Sequence, residues 1–400
     1  MPKYSLRWPR AGITAPYLLP AQFLAICAQN RESFDHMKKL PSFGFCSRMN
    51  PGEIKTKEVA TMYYTGIDLH KKTSFITTIN ERGQVVKKNN LKNIPSLILK
   101  YFDDLAANTR IVIESMSSWY WLYDLLTGKG MDVIISNPAK TKAIASAKIK
   151  NDKVDSHMLA QLLRADLIPE SYVSSMDTRK LKELLRHRNR LVRDTVRMKN
   201  RIHALLMKNN LQQPCSDLFG KKGLSFLYSD IDLPDYHCEQ LKTYLSLYES
   251  IKTEVDHLTK RIYAMAKTSP VANLLTTIPG IGPLVAMVIV SEVEDIERFP
   301  SYQNLSSYAG LVPSLDSSGS KERMGRITKQ GSPYLRTALV ESAQVIARLK
   351  NCRLNIFFRR RIVRSGYAKA VTATAHKILQ IVYYVWKNQT PYLEEYNVCG

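Results

Sequence analysis

The alternation of apolar and polar positions becomes regular at Met62. Met62–Asp68 (MYYTGID) and Ser74–Ile79 (SFITTI) are short β-rich runs, and Glu81-Arg82-Gly83 turns the chain into Gln84-Val85-Val86. That pattern predicts antiparallel strands joined by tight turns. Apolar residues at helical spacing follow from Pro95 to Leu105, then a buried-looking strand from Arg110 to Glu114 (RIVIE). A helix over Trp119–Leu126 and a strand over Met131–Ser136 come next; Asn137-Pro138 breaks the strand, and helical spacing returns from Asp152 to Leu163. The predicted order, βββ-α-β-α-β-α, is mixed α/β, with acids at strand ends, where sheets present their sites.

Beyond this the pattern is helical. Leu181, Leu184, Leu185, Val192, Val196, Ile202, Leu205 and Leu206 mark one long amphipathic helix. After a break around Pro214–Pro234, the positions Leu241, Tyr244, Tyr248, Ile251, Val255, Leu258, Ile262 and Met265 alternate in steps of 3 and 4. That is a coiled-coil rhythm. Two such helices can pack on each other or on a second subunit; periodicity does not choose, and self-association through the arm is the favoured expectation. From Pro270 a third region runs to the end. Ile278-Pro279-Gly280-Ile281-Gly282 forms a tight turn between apolar helical stretches, a loop rich in Ser, Gly and Lys spans Pro313–Ser332, and helices cover Tyr334–Leu349 and Ala368–Lys387. The expected domains are an irregular extension (1–60), a mixed-sheet domain (61–170), a helical arm (171–268) and a mostly α-helical carboxy-terminal domain (269–400).

Lys3, Arg7 and Arg10 precede a mostly apolar stretch, Ala11–Ala28, that superficially resembles a secretory signal. Pro16, Pro20 and Gln22 interrupt it, so it reads as an irregular extension, with Met49 or Met62 as alternative starts. No apolar run approaches the roughly 18–20 residues of a membrane helix. Cys27, Cys46, Cys215, Cys238, Cys352 and Cys399 form no CxxC pair or Cys/His cluster, which excludes a zinc module and a disulfide scaffold and fits the reducing cytoplasm. Charge changes the picture most. Lys and Arg number 58 against 35 Asp and Glu in 400 residues, a net +23, which points to a polyphosphate partner.

Four acids carry the candidate chemistry. Asp68 and Glu114 end separate predicted strands, while Asp152 and Asp155 are three residues apart, on one helix face with Cβ atoms roughly 5–6 Å apart. Singly, each reads as a surface acid or a cap; Asp152 alone could cap its helix. Together they would repel one another unless a divalent cation offset the charge, and hard carboxylate oxygens select Mg²⁺ or Mn²⁺. Two such ions about 3.5–4 Å apart would serve both oxygens of a phosphodiester displacement.

The motifs Tyr64-Thr65-Gly66-Ile67-Asp68, Ile111-Val112-Ile113-Glu114-Ser115 and Asn151-Asp152-Lys153-Val154-Asp155-Ser156-His157-Met158-Leu159-Ala160 resemble those of the DEDD-type insertion-sequence transposases. The resemblance continues in Ile278–Gly282, in Tyr308-Ala309-Gly310-Leu311-Val312-Pro313 and in Gly325-Arg326-Ile327-Thr328-Lys329-Gln330-Gly331, and it covers residues 61 to 390. It implies an RNase H-like first domain that binds metal through Asp68, Glu114, Asp152 and Asp155. It also implies a serine nucleophile in the carboxy-terminal domain, at Ser318 by count from Ala309-Gly310-Leu311, with Ser317 and Ser320 as neighbouring rivals. Further implications are double-stranded DNA (element ends and target) as substrate, a structured guide RNA, and a dimer or tetramer whose subunits share composite sites. A metal-dependent junction nuclease and a catalytically silent nucleic-acid-binding protein are the rival readings.

Arg179–Lys208 carries eleven Lys and Arg against Glu183 and Asp194, a bias expected of a nucleic-acid-tracking face that includes Arg186, Arg190, Arg193 and Arg197. The turn at Gly280 and Gly282 resembles a helix-hairpin-helix, whose amides hold a backbone phosphate; an ordinary helical corner is the alternative. Lys321, Arg323, Arg326, Lys329 and Arg336 flank the serine loop, and Arg359, Arg360 and Arg361 follow Phe357-Phe358 as a charge-plus-stacking site. The histidines show no metal-ligand spacing and read as surface or core residues.

Overall fold

The computed structural model describes residues 62–393 apart from 106–107, 116–117, 145–151, 230, 319–320 and 351, and without the side chains of 152–154, 315–318 and 321–324. The expected extension over 1–60 and the alternative start at Met49 lie outside the described residues.

The first region is a mixed five-stranded sheet, order β3-β2-β1-β4-β5, formed by β1 (Tyr63–Leu69), β2 (Thr73–Ile79), β3 (Val85–Lys92), β4 (Thr109–Glu114) and β5 (Asp132–Ser136). β1 pairs antiparallel with β2, and β2 with β3, while β1–β4 and β4–β5 are parallel. The parallel pairs need crossovers, which α1 (Pro95–Phe102) and α2 (Tyr120–Thr127) help to supply on one face. Ile67, Ile76, Ile111 and Ile113 meet Ile98, Phe102, Leu122 and Leu126 there. On the opposite face Val112 meets Leu159 and Leu163 of α4 (Asp152–Arg164). Strands covered on both faces read as continuous apolar runs, which is why β1 and β4 stand out in the sequence. By contrast β3 extends to Lys92, well past the predicted Val86, because an edge strand of KKNNLK has no buried face to impose alternation. Asn137-Pro138 starts a helix as well as ending β5: α3 (Pro138–Ile144) has Pro at its first position, and the Lys140 amide donates to Asn137 Oδ1 at 3.2 Å.

Two long helices form the arm, α5 (Met176–Lys208) and α7 (Asp235–Thr268), with the short α6 (Lys221–Tyr228) in the connection. They pack on each other within one chain. Self-association is therefore not needed to cover the seam. At the tip, Ile202, Leu205 and Leu206 pack with Leu218, Leu227, Leu241 and Leu245. At the root, Leu185, Ile262 and Ala266 belong to the carboxy-terminal core instead. Val196, Leu247 and Tyr263 remain exposed on the arm.

That core is built by α8 (Pro270–Leu275), α9 (Pro283–Val293), α10 (Tyr302–Ala309), α11 (Pro333–Arg348), α12 (Arg353–Ser365) and α13 (Tyr367–Asn388). Between α10 and α11 the predicted loop contains an antiparallel hairpin of β6 (Pro313–Ser318) and β7 (Lys321–Ile327). Its strands, PSLDSS and KERMGRI, are polar at most positions, so nothing in their hydrophobic pattern marks them as β. Among the described residues no helix is long and apolar enough to cross a membrane, and Cys215 and Cys238 carry free thiols.

Candidate metal and nucleic-acid site

Asp68 and Glu114 lie side by side. The parallel register Ile67↔Ile113 carries them to adjacent positions at the carboxyl ends of β1 and β4. Asp68 is buried, 5% exposed, and Glu114 half-buried. The other two acids come from α4, whose course follows from its contacts. Ser156 shares a hydrogen bond of 2.8 Å with Thr77 of β2, and a Cβ on Gly66 would stand 2.1 Å from the Ser156 carbonyl oxygen. Only glycine permits that approach. At the other end of α4, Gln161 donates to the Gly83 carbonyl and Arg164 to the Glu81 carbonyl, in the β2–β3 turn. The helix thus runs opposite to β1, and its first turn, bearing Asp152 and Asp155, arrives at the end of the sheet that holds Asp68 and Glu114.

Among the described residues no group of three or more His, Cys, Asp and Glu is arranged to hold a metal ion; the side chain of Asp152 lies outside that description. The backbone course nonetheless brings two acid-bearing strand ends and one acid-bearing helix start to one end of the sheet, and carboxylate oxygens are the donors a hard divalent cation takes. His70 is the residue that sequence reasoning missed. Its Nε2 lies 3.3 Å from Asp68 Oδ2. The β1–β2 turn holds it there, through the His70 amide donating to the Thr73 carbonyl and Asn93 Nδ2 donating to the His70 carbonyl. No sequence spacing announces that pairing; an acid two residues before a histidine at a strand end is its faint trace.

Ser318 is the last residue of β6 and pairs with Lys321 across the hairpin tip. The backbone there is a strand end, where sequence reasoning expected irregular loop. Ser317 pairs with Glu322, and Ser320 lies outside the described residues.

The candidate cations divide into two groups. Arg186 is turned inward: its Nη2 donates to Glu292 Oε1 at 3.0 Å, and Glu292, 3% exposed, also accepts from Ser332 Oγ at 3.1 Å. Other members of the α5 bias do likewise, Arg179 pairing with Asp124 and Lys182 with Ser174. Arg190 and Arg197 are exposed but paired with Glu183 and Asp194, and Arg193 is exposed. Arg336 caps α10 by donating to the Ala309 carbonyl at 2.9 Å. Arg326, Lys329, Arg359, Arg360 and Arg361 are exposed, and Arg361 lies over the Phe357 ring. Phe358 is core. The side chains of Lys321 and Arg323 lie outside the described residues. Gly280 has φ +83, and a Cβ there would meet the Ser342 carbonyl at 2.8 Å, so α11 packing accounts for it; Gly282 precedes α9, and a Cβ there would meet nothing within 4 Å.

Comparison with known proteins agrees over most of the chain. A family model described as a transposase, of the DEDD type of the IS110 group, matches residues 65–209, and one described as the IS116/IS110/IS902 transposase family matches residues 272–357. The chain is similar to the transposase for insertion sequence element IS1111A of Coxiella burnetii, 25% identical over 82% of this chain and 90% of that protein. It is 24% identical to the transposase for IS1328 of Yersinia enterocolitica, over 80% of this chain and 95% of its relative.

Proposed function

Because this chain belongs to the IS110 family of transposases, we propose that it cuts and rejoins insertion-sequence DNA through a serine–phosphodiester intermediate. In this reading the sheet region is an RNase H-like catalytic domain, and Asp68, Glu114, Asp152 and Asp155 hold Mg²⁺ or Mn²⁺. The observation that carries it is the convergence of two strand ends and the first turn of α4 on one edge of the sheet. Metal bound there would polarise the scissile phosphate and offset the charge that develops on it. His70 orients the Asp68 carboxylate. Ser318 Oγ forms a bond to phosphorus as the bond to the leaving sugar oxygen breaks, and the serine proton ends on that oxygen. A free hydroxyl of a second strand then forms the new bond to phosphorus as the bond to Ser318 Oγ breaks, and the proton of that hydroxyl ends on the serine oxygen, so the exchange needs no external energy source.

The substrate is double-stranded DNA, and family resemblance supplies a structured guide RNA as the source of target choice. A dimer or tetramer would allow one subunit's hairpin to serve another's acids, with Val196, Leu247 and Tyr263 as apolar groups left on the arm for a partner. Labelled DNA incubated with Mg²⁺ and run on a denaturing gel tests the chemistry. Wild type forms a covalent adduct; Ser318→Ala binds DNA but forms none, and Asp68→Asn neither cuts nor forms adduct. Clean cutting without any adduct would assign the site to hydrolysis, and an adduct with Ser318→Ala would move the nucleophile to Ser317 or Ser320.

A further inference from the structure

Strand β3 is an open edge of the sheet, and its alternate residues share a face with the acids. Lys88, Asn90 and Lys92 stand opposite Thr77, Phe75 and Thr73 of β2. Thr77 faces α4 through its bond to Ser156, so these residues lie on the α4 side. A side-chain contact agrees for Lys88: its Nζ sits 5.5 Å from the centroid of the Phe75 ring, on the same face. Because Asp68 pairs with Phe75 and Phe75 with Asn90, one lateral row crosses the sheet through Glu114, Asp68, Phe75 and Asn90. Lys88 and Lys92 flank that row two strands from Asp68, roughly 10 Å away at the usual strand spacing.

The turn after Asp68 adds Lys71 and Lys72, both exposed. Asn93 fastens this turn to the end of β3: its amide donates to the Lys72 carbonyl, its Nδ2 to the His70 carbonyl, and its Oδ1 accepts from Ser74 Oγ. From Leu69 to Lys92 the acid in the sequence is Glu81, in the turn at the far end of the sheet. A carboxylate cluster repels a polyanion, so a nucleic-acid strand needs cations beside the acids to approach them. Lysines two apart on a strand stand roughly 6.6–6.8 Å from each other, a step comparable to that between successive phosphates of an extended strand. Charged lysines also discourage the edge from pairing with another β-strand, which disfavours a peptide there.

We infer that the β3 edge is a phosphate track for the scissile DNA strand, with Lys88 and Lys92 holding its backbone beside Asp68 and Lys71 and Lys72 extending the grip around the turn. The inference rests on the reading of Asp68 as a catalytic acid, since a track ending at DNA-cutting carboxylates carries the strand to be cut. Binding of the full chain to a labelled single-stranded DNA of about 30 nucleotides, titrated against salt in EDTA, reads the track without cleavage. Lys88→Gln/Lys92→Gln protein is expected to bind about 3–10-fold more weakly, with the slope of log K against log salt reduced by about 1 to 1.5. Lys88→Arg/Lys92→Arg should retain both values, and thermal melting should be unchanged in each variant. A wild-type slope in the glutamine variant would overturn the inference, as would a loss on RNA of the same sequence clearly greater than the loss on DNA. Cleavage by Asp68→Asn protein would instead refute the catalytic reading, in a different readout.

Discussion

Glu294 holds the linker between sheet and arm from the carboxy-terminal side. It follows α9 with φ +62, a left-handed conformation that a non-glycine residue adopts only when its surroundings hold it. Its Oε1 accepts from the Ser175 amide at 2.9 Å, just ahead of α5. Burial alone would raise its pKa, but hydrogen bonds led by those from Ser175 pull it down to about 2. The contribution of this contact is therefore complete above the ordinary glutamate range near 4.5 and fades as the pH falls through about 2. Urea midpoints of wild type and Glu294→Gln should differ at pH 6 and converge in that acid window; a constant difference across it would show that the charge does not matter. At this scale the sequence was readable where an acid ends an apolar strand, as at Asp68 and Glu114. His70 was not, since its approach to Asp68 depends on a turn closed by Asn93, twenty-three residues downstream. Nor was Arg186, whose partner Glu292 lies on another helix; a cation count cannot tell an interior ion pair from a phosphate contact.

Among the elements, α4 decides whether the acids meet. A Gly66→Val side chain would drive into the backbone of Ser156 and Ala160, neither of which can yield as a flexible side chain would. Lifting α4 off β1 should cost about 3 kcal/mol or more, as other severe overpacking does, and should abolish cleavage although every acid is still present. Gly66→Ala already places a Cβ 2.1 Å from the Ser156 oxygen, so it should show the same defect in milder form. A stable Gly66→Val protein with wild-type cleavage would refute this account of the site. Amphipathic spacing made α4 legible to within a residue at its end. The β6–β7 hairpin was illegible for the opposite reason: a two-stranded ribbon with little apolar sequence leaves no periodic trace, and its Ser and Gly content imitates a loop.

Over the whole molecule, the rhythm of 3 and 4 was visible but its partner was not, because a heptad seam looks the same whether the facing helix belongs to the same chain or another. Here α5 and α7 face each other. Leu258 is buried in that pairing, so Leu258→Lys should lower the melting temperature sharply, with a penalty of about 3 kcal/mol or more for unpaired buried charge. Leu247, 45% exposed, separates the two roles of the arm: Leu247→Lys should change stability by no more than about 0.5 kcal/mol. A fall in its mass by light scattering would identify that surface as a subunit contact. The root of the arm has a mechanical consequence. With its 34 residues, α7 extends about 51 Å, and one end is set in the carboxy-terminal core through Ile262 and Ala266. A tilt of roughly 5° at that footing would sweep the far end through roughly 4 Å on a helix of this length. The arm is thus a lever with its fulcrum in the carboxy-terminal core, and a load on its tip exerts torque where the carboxy-terminal helices are joined.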